Sequence, residues 1–129
     1  MTLVVRAFPL KPECTVEQVQ ALTDELQGPR QQEIAQMHRA HGVKHESWYL
    51  QQTPNGWWVI AVDQIEGDVK GSAQQFAEQH SGFVGWFKER VQELTGVDMT
   101  QAPLGPPTRP IYDWSDDEQV AALFQPFRG

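Results

Sequence analysis

Residues 53–56, Thr-Pro-Asn-Gly, stand between two runs that only a β-hairpin reconciles, VKHESWYLQQ (43–52) and WWVIAVDQ (57–64). Both runs are rich in β-branched and aromatic residues and lack proline, as strands require. Pro54 suits the second position of a type I turn, Asn55 the third, and Gly56 the left-handed position that closes a three-residue loop with a bulge. This register sets Thr53 opposite Trp57 and Gln51 opposite Val59. One face then carries Trp48, Leu50, Trp58, Ile60 and Val62, and the other His45, Ser47, Tyr49, Gln51, Val59, Ala61 and Asp63. A two-residue Asn55-Gly56 loop would shift the pairing by one and mix these groups. The cleaner segregation favours the longer loop.

The flanking segments place this hairpin in a fold. TLVVRAFPL, ending at Pro9 and Pro12, reads as a first strand. Thr15 and Gln18 form a capping box, after which Val16, Val19, Leu22 and Leu26 recur at helical spacing. Gly28-Pro29 breaks that helix, and a second stretch with Ile34 and Met37 on one face runs to Gly42, placed as a C′ glycine. Beyond the hairpin, Val69, Ala73, Phe76 and Ala77 share a helical face up to about His80, and Ser81-Gly82 interrupts it. A stronger helix carries Phe83, Phe87, Val91 and Leu94 on its stripe, leaves Lys88, Glu89 and Glu93 off it, and ends at Gly96. QAPLGPPTRP (101–110) is a proline-rich loop, RPIYDW (109–114) a short last strand, and the tail 115–129 a helical turn between Val120 and Phe124. The order strand, helix, strand, strand, helix, strand is the ferredoxin-like βαββαβ arrangement. It is an α+β fold whose antiparallel four-stranded sheet carries its helices on one face. Residues 1–129 form a single domain.

Composition narrows the function classes. With 40% hydrophobic residues among 129, five Trp and six Phe, the chain can bury a core. Ten basic against 17 acidic residues give a net charge of −7, which disfavours nucleic acid and anionic membrane as partners. The lone Cys14 cannot form an internal disulfide, as in a reducing cytoplasm. The start MTLVVRAFPL has no basic n-region and is too short an apolar run to span a membrane. A cytoplasmic protein is expected.

Three of the four histidines fall within eight residues, at His38, His41 and His45. His38 and His41 share a helical face, but no zinc signature accompanies them and a third ligand from His45 would need a sharp reversal. The simpler reading leaves both on the solvated end of a helix, beside its negative pole. No metal site and no cofactor is expected. His45 is the stronger candidate, as it shares a face with Ser47, Tyr49 and Asp63. If Leu3 and Val5 face the helices, Arg6 joins that face. Such a set could bind a small anionic or phenolic ligand, with His45 as base, Tyr49 and Arg6 steadying an anion, and Asp63 orienting His45 or Arg6. Trp48, and His80 beside Trp86, are further candidates for lining a pocket. The plainer alternative is a half-polar sheet face buried in an oligomer.

VKHESWYLQQ, WWVIAVDQ and HSGFVGWFKERVQELTGVDM together resemble an uncharacterised bacterial family of the dimeric α+β barrel superfamily. The resemblance spans most of residues 2–99. It departs at LKPE (10–13), where relatives tend to have Lys-Pro-Gly, and at the proline-rich loop. The family brings no catalytic residues to carry over. The superfamily includes cofactor-free monooxygenases of polyketide quinones, haem-degrading enzymes, small lactone isomerases and stress-response proteins. The resemblance implies a homodimer joined through open sheet faces, here bearing bulk such as Trp57 and Val59. It also implies a small organic ligand, held either between sheet and helices or inside the joined barrel. Two function classes follow: a cofactor-independent monooxygenase or isomerase, or a non-enzymatic stress-associated or interaction protein whose dimer is the functional unit. The sequence leaves open whether the chain is an enzyme.

Overall fold

In the computed structural model, which describes residues 1–129, the chain forms four strands and five helices. Strand β1 (Thr2–Pro9) is followed by α1 (Val16–Leu26), α2 (Gln31–Ala40), β2 (Val43–Thr53), β3 (Gly56–Ile65), α3 (Val69–Glu78), α4 (Gly82–Thr95), α5 (Glu118–Leu123) and β4 (Gln125–Pro126). The sheet order is β2-β3-β1-β4. β3 pairs antiparallel with β1 and β2, whereas β4 runs parallel to β1. The sheet is therefore mixed, not purely antiparallel. No helix is long and apolar enough to cross a membrane.

Local chemistry sets the element ends where the sequence places them. Thr15 Oγ1 accepts from the Gln18 N–H while Gln18 Oε1 accepts from the Thr15 N–H, closing the capping box. Gly42 (φ +71°) follows α2 and Gly96 (φ +77°) ends α4, both in the left-handed region that favours glycine. A Cβ at Gly42 would lie 2.6 Å from the Glu66 carbonyl oxygen, so this corner admits no side chain. The helical stripes are buried as expected: Val19 and Leu22 on α1, Met37 on α2, Phe76 and Ala77 on α3, Phe87 and Val91 on α4. Met37, Phe76, Phe87 and Val91 form the central cluster, each side chain contributing about 1.5–3 kcal/mol by leaving water.

Three expectations need correction. In the hairpin, Thr53 pairs with Gly56 and Gln51 with Trp58, so the loop is the two residues Pro54-Asn55. Thr53 Oγ1 secures it, accepting from the Asn55 N–H and donating to the Gly56 carbonyl at 2.7 Å. The pairing slips by one, and Trp48 and Leu50 now share a face with Val59, Ala61 and Asp63. On β1 the inward residues are Val4, Arg6 and Phe8, not Leu3 and Val5. Val59, expected on the open face, is 4% exposed against the helices. The fourth strand is Gln125–Pro126 rather than Arg109–Trp114. Pro106, Pro107 and Pro110 lack the N–H groups a ladder needs, and the loop is instead tied to β1 by Thr108 Oγ1 donating to the Val5 carbonyl. Ile111, Tyr112 and Trp114 are left exposed.

Lys88 departs from its expected place off the α4 stripe. It is 4% exposed, and its Nζ donates to the carbonyls of Phe76 and Gln79, the latter at 2.6 Å. Those carbonyls close α3, so a cation meets the negative end of that helix where the chain turns into α4.

Candidate functional site

Alternation carries Val4, Arg6 and Phe8 of β1, Val59, Ala61, Asp63 and Ile65 of β3, and Glu46 and Trp48 of β2 to the helix-covered face. Glu46 reaches it through a bulge. Val43 pairs with Ile65 but His45 with Gln64, so Lys44 is the additional residue and Val43 and Glu46 both turn inward. Between this face and the helices lies a cavity of about 130 Å³. Nineteen of its 27 lining residues are hydrophobic, which makes the polar ones conspicuous.

Those polar residues form a row across the sheet. Arg6 projects from β1, Asp63 from β3 and Glu46 from β2, and His38 and His41 close the row from α2 and the turn after it. Glu46 and Asp63 are Cα partners across the β2–β3 ladder, and Arg6 is a diagonal neighbour of Asp63, whose own β1 partner is Val4. Trp48 Nε1 donates to Glu46 Oε1 at 2.9 Å, and His38 Nε2 lies 3.6 Å from the same oxygen. Arg6 Nη1 donates back to the Val5 carbonyl at 3.0 Å. His41 Nε2 lies 3.2 Å from Gln79 Oε1, and its ring meets Phe76 edge-on at 5.3 Å.

Burial sets the protonation of this row. Loss of solvent, then the hydrogen bond and charge of Asp63, push the Glu46 carboxyl well above the usual carboxylate range, with Trp48 opposing. Burial lowers the His38 imidazole, against the pull of Asp63 and with a smaller push from His41. Burial also lowers Arg6, opposed by Asp63, though a guanidinium stays charged. Both shifts favour the neutral forms, a protonated Glu46 and an uncharged His38, and so weaken any ion pairing across their 3.6 Å approach. Three polar atoms here are buried without a partner: Arg6 Nε, Asp63 Oδ1 and His41 Nδ1. Unpaired groups of this kind cost about 1–3 kcal/mol each.

The expected site is thus divided between two places. Arg6, Asp63 and Trp48 lie inside the cavity. His45, Ser47 and Tyr49 face away from it, paired with Gln64, Val62 and Ile60, and Tyr49 is 57% exposed. His45, Tyr49 and Asp63 are not brought together. His45, Ser47 and Tyr49 instead border an open groove of about 720 Å³ between the free edge of β2 and helices α1 and α2. His80 is exposed, and Trp86 packs on Phe83 with Arg30 stacked 3.9 Å from its ring centre; neither borders the cavity. His38 and His41, expected on a solvated helix end, turn inward, and His41 is only 7% exposed. No group of three or more His, Cys, Asp or Glu side chains is arranged to hold a metal ion.

Glu46 and the two inward histidines are what reading the sequence missed. The observed Pro54-Asn55 loop, which sets Glu46 opposite Asp63, was not among the alternatives drawn from the sequence. The rejected Asn55-Gly56 loop would have set Glu46 opposite Ile65 and Asp63 opposite Trp48. His38, Glu46 and Trp48 border both cavity and groove, so they form the wall between the interior and the surface. Compared with protein-family models, curated proteins and solved structures, the chain gives no match.

Proposed function

We propose that the chain binds a small organic molecule in the cavity between sheet and helices, and that it works as a homodimer of the α+β barrel type. The observation that carries the ligand reading is the pairing of an apolar cavity with unpartnered Arg6 Nε and Asp63 Oδ1 on its wall. A ligand with an apolar body and a polar head satisfies both features. Any reaction there is a cofactor-independent oxidation or isomerisation, with Asp63 and His38 moving protons and Glu46 beside them. The sheet order β2-β3-β1-β4 suits the barrel. So does the open sheet face, where Val5, Trp58, Ile60 and Val62 have no helix over them. The cytoplasm is the proposed location, in keeping with the unpaired Cys14.

Native mass spectrometry tests both parts. A dimer carrying a discrete organic mass, lost in Arg6→Met, supports the reading. A bare monomer that takes up no single-ring compound overturns it. The second reading, a non-enzymatic protein whose dimer is the functional unit, draws on that same open face. It requires the dimer to form with the cavity empty, and Arg6→Met to leave every property of the assembly unchanged.

A further inference from the structure

We propose that the cavity catalyses proton transfer at the carbon beside a carbonyl group, acting on small cyclic ketones and enones, with Asp63 as the base and Arg6 as the partner of the oxygen. This rests on the cavity being the ligand site.

Three features carry it. The first is size. A space of about 130 Å³ is close to the roughly 150 Å³ apolar cavity that holds benzene, so one ring fits and two do not. The second is the pair of unmet hydrogen-bonding atoms. Arg6 is tethered through Nη1 to the Val5 carbonyl, which leaves its buried Nε–H without an acceptor. Asp63 Oδ1 is buried without a donor. As diagonal neighbours on paired strands, with backbone positions about 7 Å apart, the two residues present these atoms on the same stretch of cavity wall.

The third is the arrangement around the carboxyl pair. Glu46 sits opposite Asp63 and is held by Trp48 Nε1. Burial and the neighbouring Asp63 favour the protonated form of Glu46. His38 stands 3.6 Å from Glu46 on the wall towards the groove, where it can pass protons between the pair and water. Of the other titratable groups, only His41 borders the cavity, and its Nε2 is engaged by Gln79.

The step balances without any co-reactant. Asp63 Oδ1 takes the proton from the carbon next to the carbonyl. The C–H electron pair becomes the new C=C bond, and the carbonyl π pair moves onto oxygen, where the Arg6 Nε–H stabilises it. Return of the proton to the same carbon exchanges hydrogen with solvent. In a β,γ-unsaturated ketone, return to the γ-carbon moves the double bond into conjugation. Asp63 and Arg6 are the catalytic residues, and Glu46 is a positioning residue that keeps the pair singly charged.

Cyclohexanone in D2O at neutral pD is the probe, followed by NMR for loss of its α-hydrogens and, in the same tube, for saturation transfer from the protein. The expected result is binding, with exchange faster than in buffer by about a hundredfold or more. That acceleration should vanish in Asp63→Asn with the saturation transfer kept. In Glu46→Gln the bell-shaped pD profile should move. Binding without acceleration in the wild type overturns the proton-transfer inference and leaves the ligand reading standing. Absence of binding overturns both. Equal rates in wild type and a folded Asp63→Asn also overturn it, and the wild-type comparison with buffer decides the matter even where a variant fails to fold.

Discussion

Glu46 and Asp63 face each other across the β2–β3 ladder, two carboxyl groups on the covered side of a sheet where apolar pairs are the rule. Burial, with Asp63 beside it, raises the Glu46 carboxyl well above the usual carboxylate range, and pH must act on stability through that shift.

Glu46→Gln fixes the neutral form. In the wild type the folded Glu46 holds its proton to higher pH than the unfolded chain does. Its stabilising contribution is complete below about pH 4.3 and is lost as pH rises through the folded value. His38 is shifted downward, so its effect has the opposite sense, lost as pH falls below about 6.5; it is common to both proteins and largely cancels. The stability of Glu46→Gln relative to wild type should rise with pH, by at most about 1.4 kcal/mol per pH unit. Urea unfolding at a series of pH values from 5 to 8 measures this, and a constant difference would rule out the raised Glu46 carboxyl.

Lys88→Met should lower stability by about 1–3 kcal/mol, because it removes the charged donor from the Phe76 and Gln79 carbonyls at the end of α3. Thermal unfolding reports the loss. Hydrogen exchange should locate it in the last turn of α3, and an unchanged exchange pattern there would show that the lysine does not cap that helix.

Val62→Asp should convert the proposed homodimer to a monomer. Val62 lies at the middle of the open face, paired with Val5 on β1 and Ser47 on β2, and a carboxylate there cannot be desolvated against a second sheet. Sedimentation velocity is the measurement. A dimer that survives the substitution places the interface elsewhere.

Gly105→Ala should disturb the apolar end of the cavity. Gly105 has φ +114°, and a Cβ there would come within 2.6 Å of Phe8 Cε1. The backbone strain and the displaced ring should together cost about 1–3 kcal/mol. Loss of single-ring ligand binding ahead of loss of folding is the expected signature, read by parallel calorimetry and thermal melts.

Helices and their ends were legible in the sequence because their determinants are local. The capping box at Thr15, the break at Gly28-Pro29 and the glycines at 42 and 96 each act within a few residues. The strand faces were not, because parity depends on one turn, and Thr-Pro-Asn-Gly accommodates more than one register. The observed Pro54-Asn55 loop was not among those weighed, and choosing by segregation assumed that the covered face is apolar. That assumption fails at a site, where Arg6, Glu46 and Asp63 are turned inward. The misplaced last strand has a different origin. RPIYDW has the side chains of a strand, but the prolines around it deny it a ladder, and two residues near the C-terminus take its place beside β1. Arg6 and Asp63 were expected on the open face with His45 and Tyr49, but they turn inward beside Trp48, while His45, Ser47 and Tyr49 do face away from the helices.

The bulge at Lys44 has a consequence for how this surface can change. Along β2 two sets of side chains alternate, Glu46 and Trp48 for the interior and His45, Ser47 and Tyr49 for the exterior, and the single extra residue sets their phase relative to the turn that enters the strand. Because Lys44 is the one residue of β2 without a partner, deleting it would leave an unbroken ladder, with Val43 still opposite Ile65, His45 opposite Gln64 and Glu46 opposite Asp63. A lineage could therefore gain or lose this residue without changing which side chains the cavity receives.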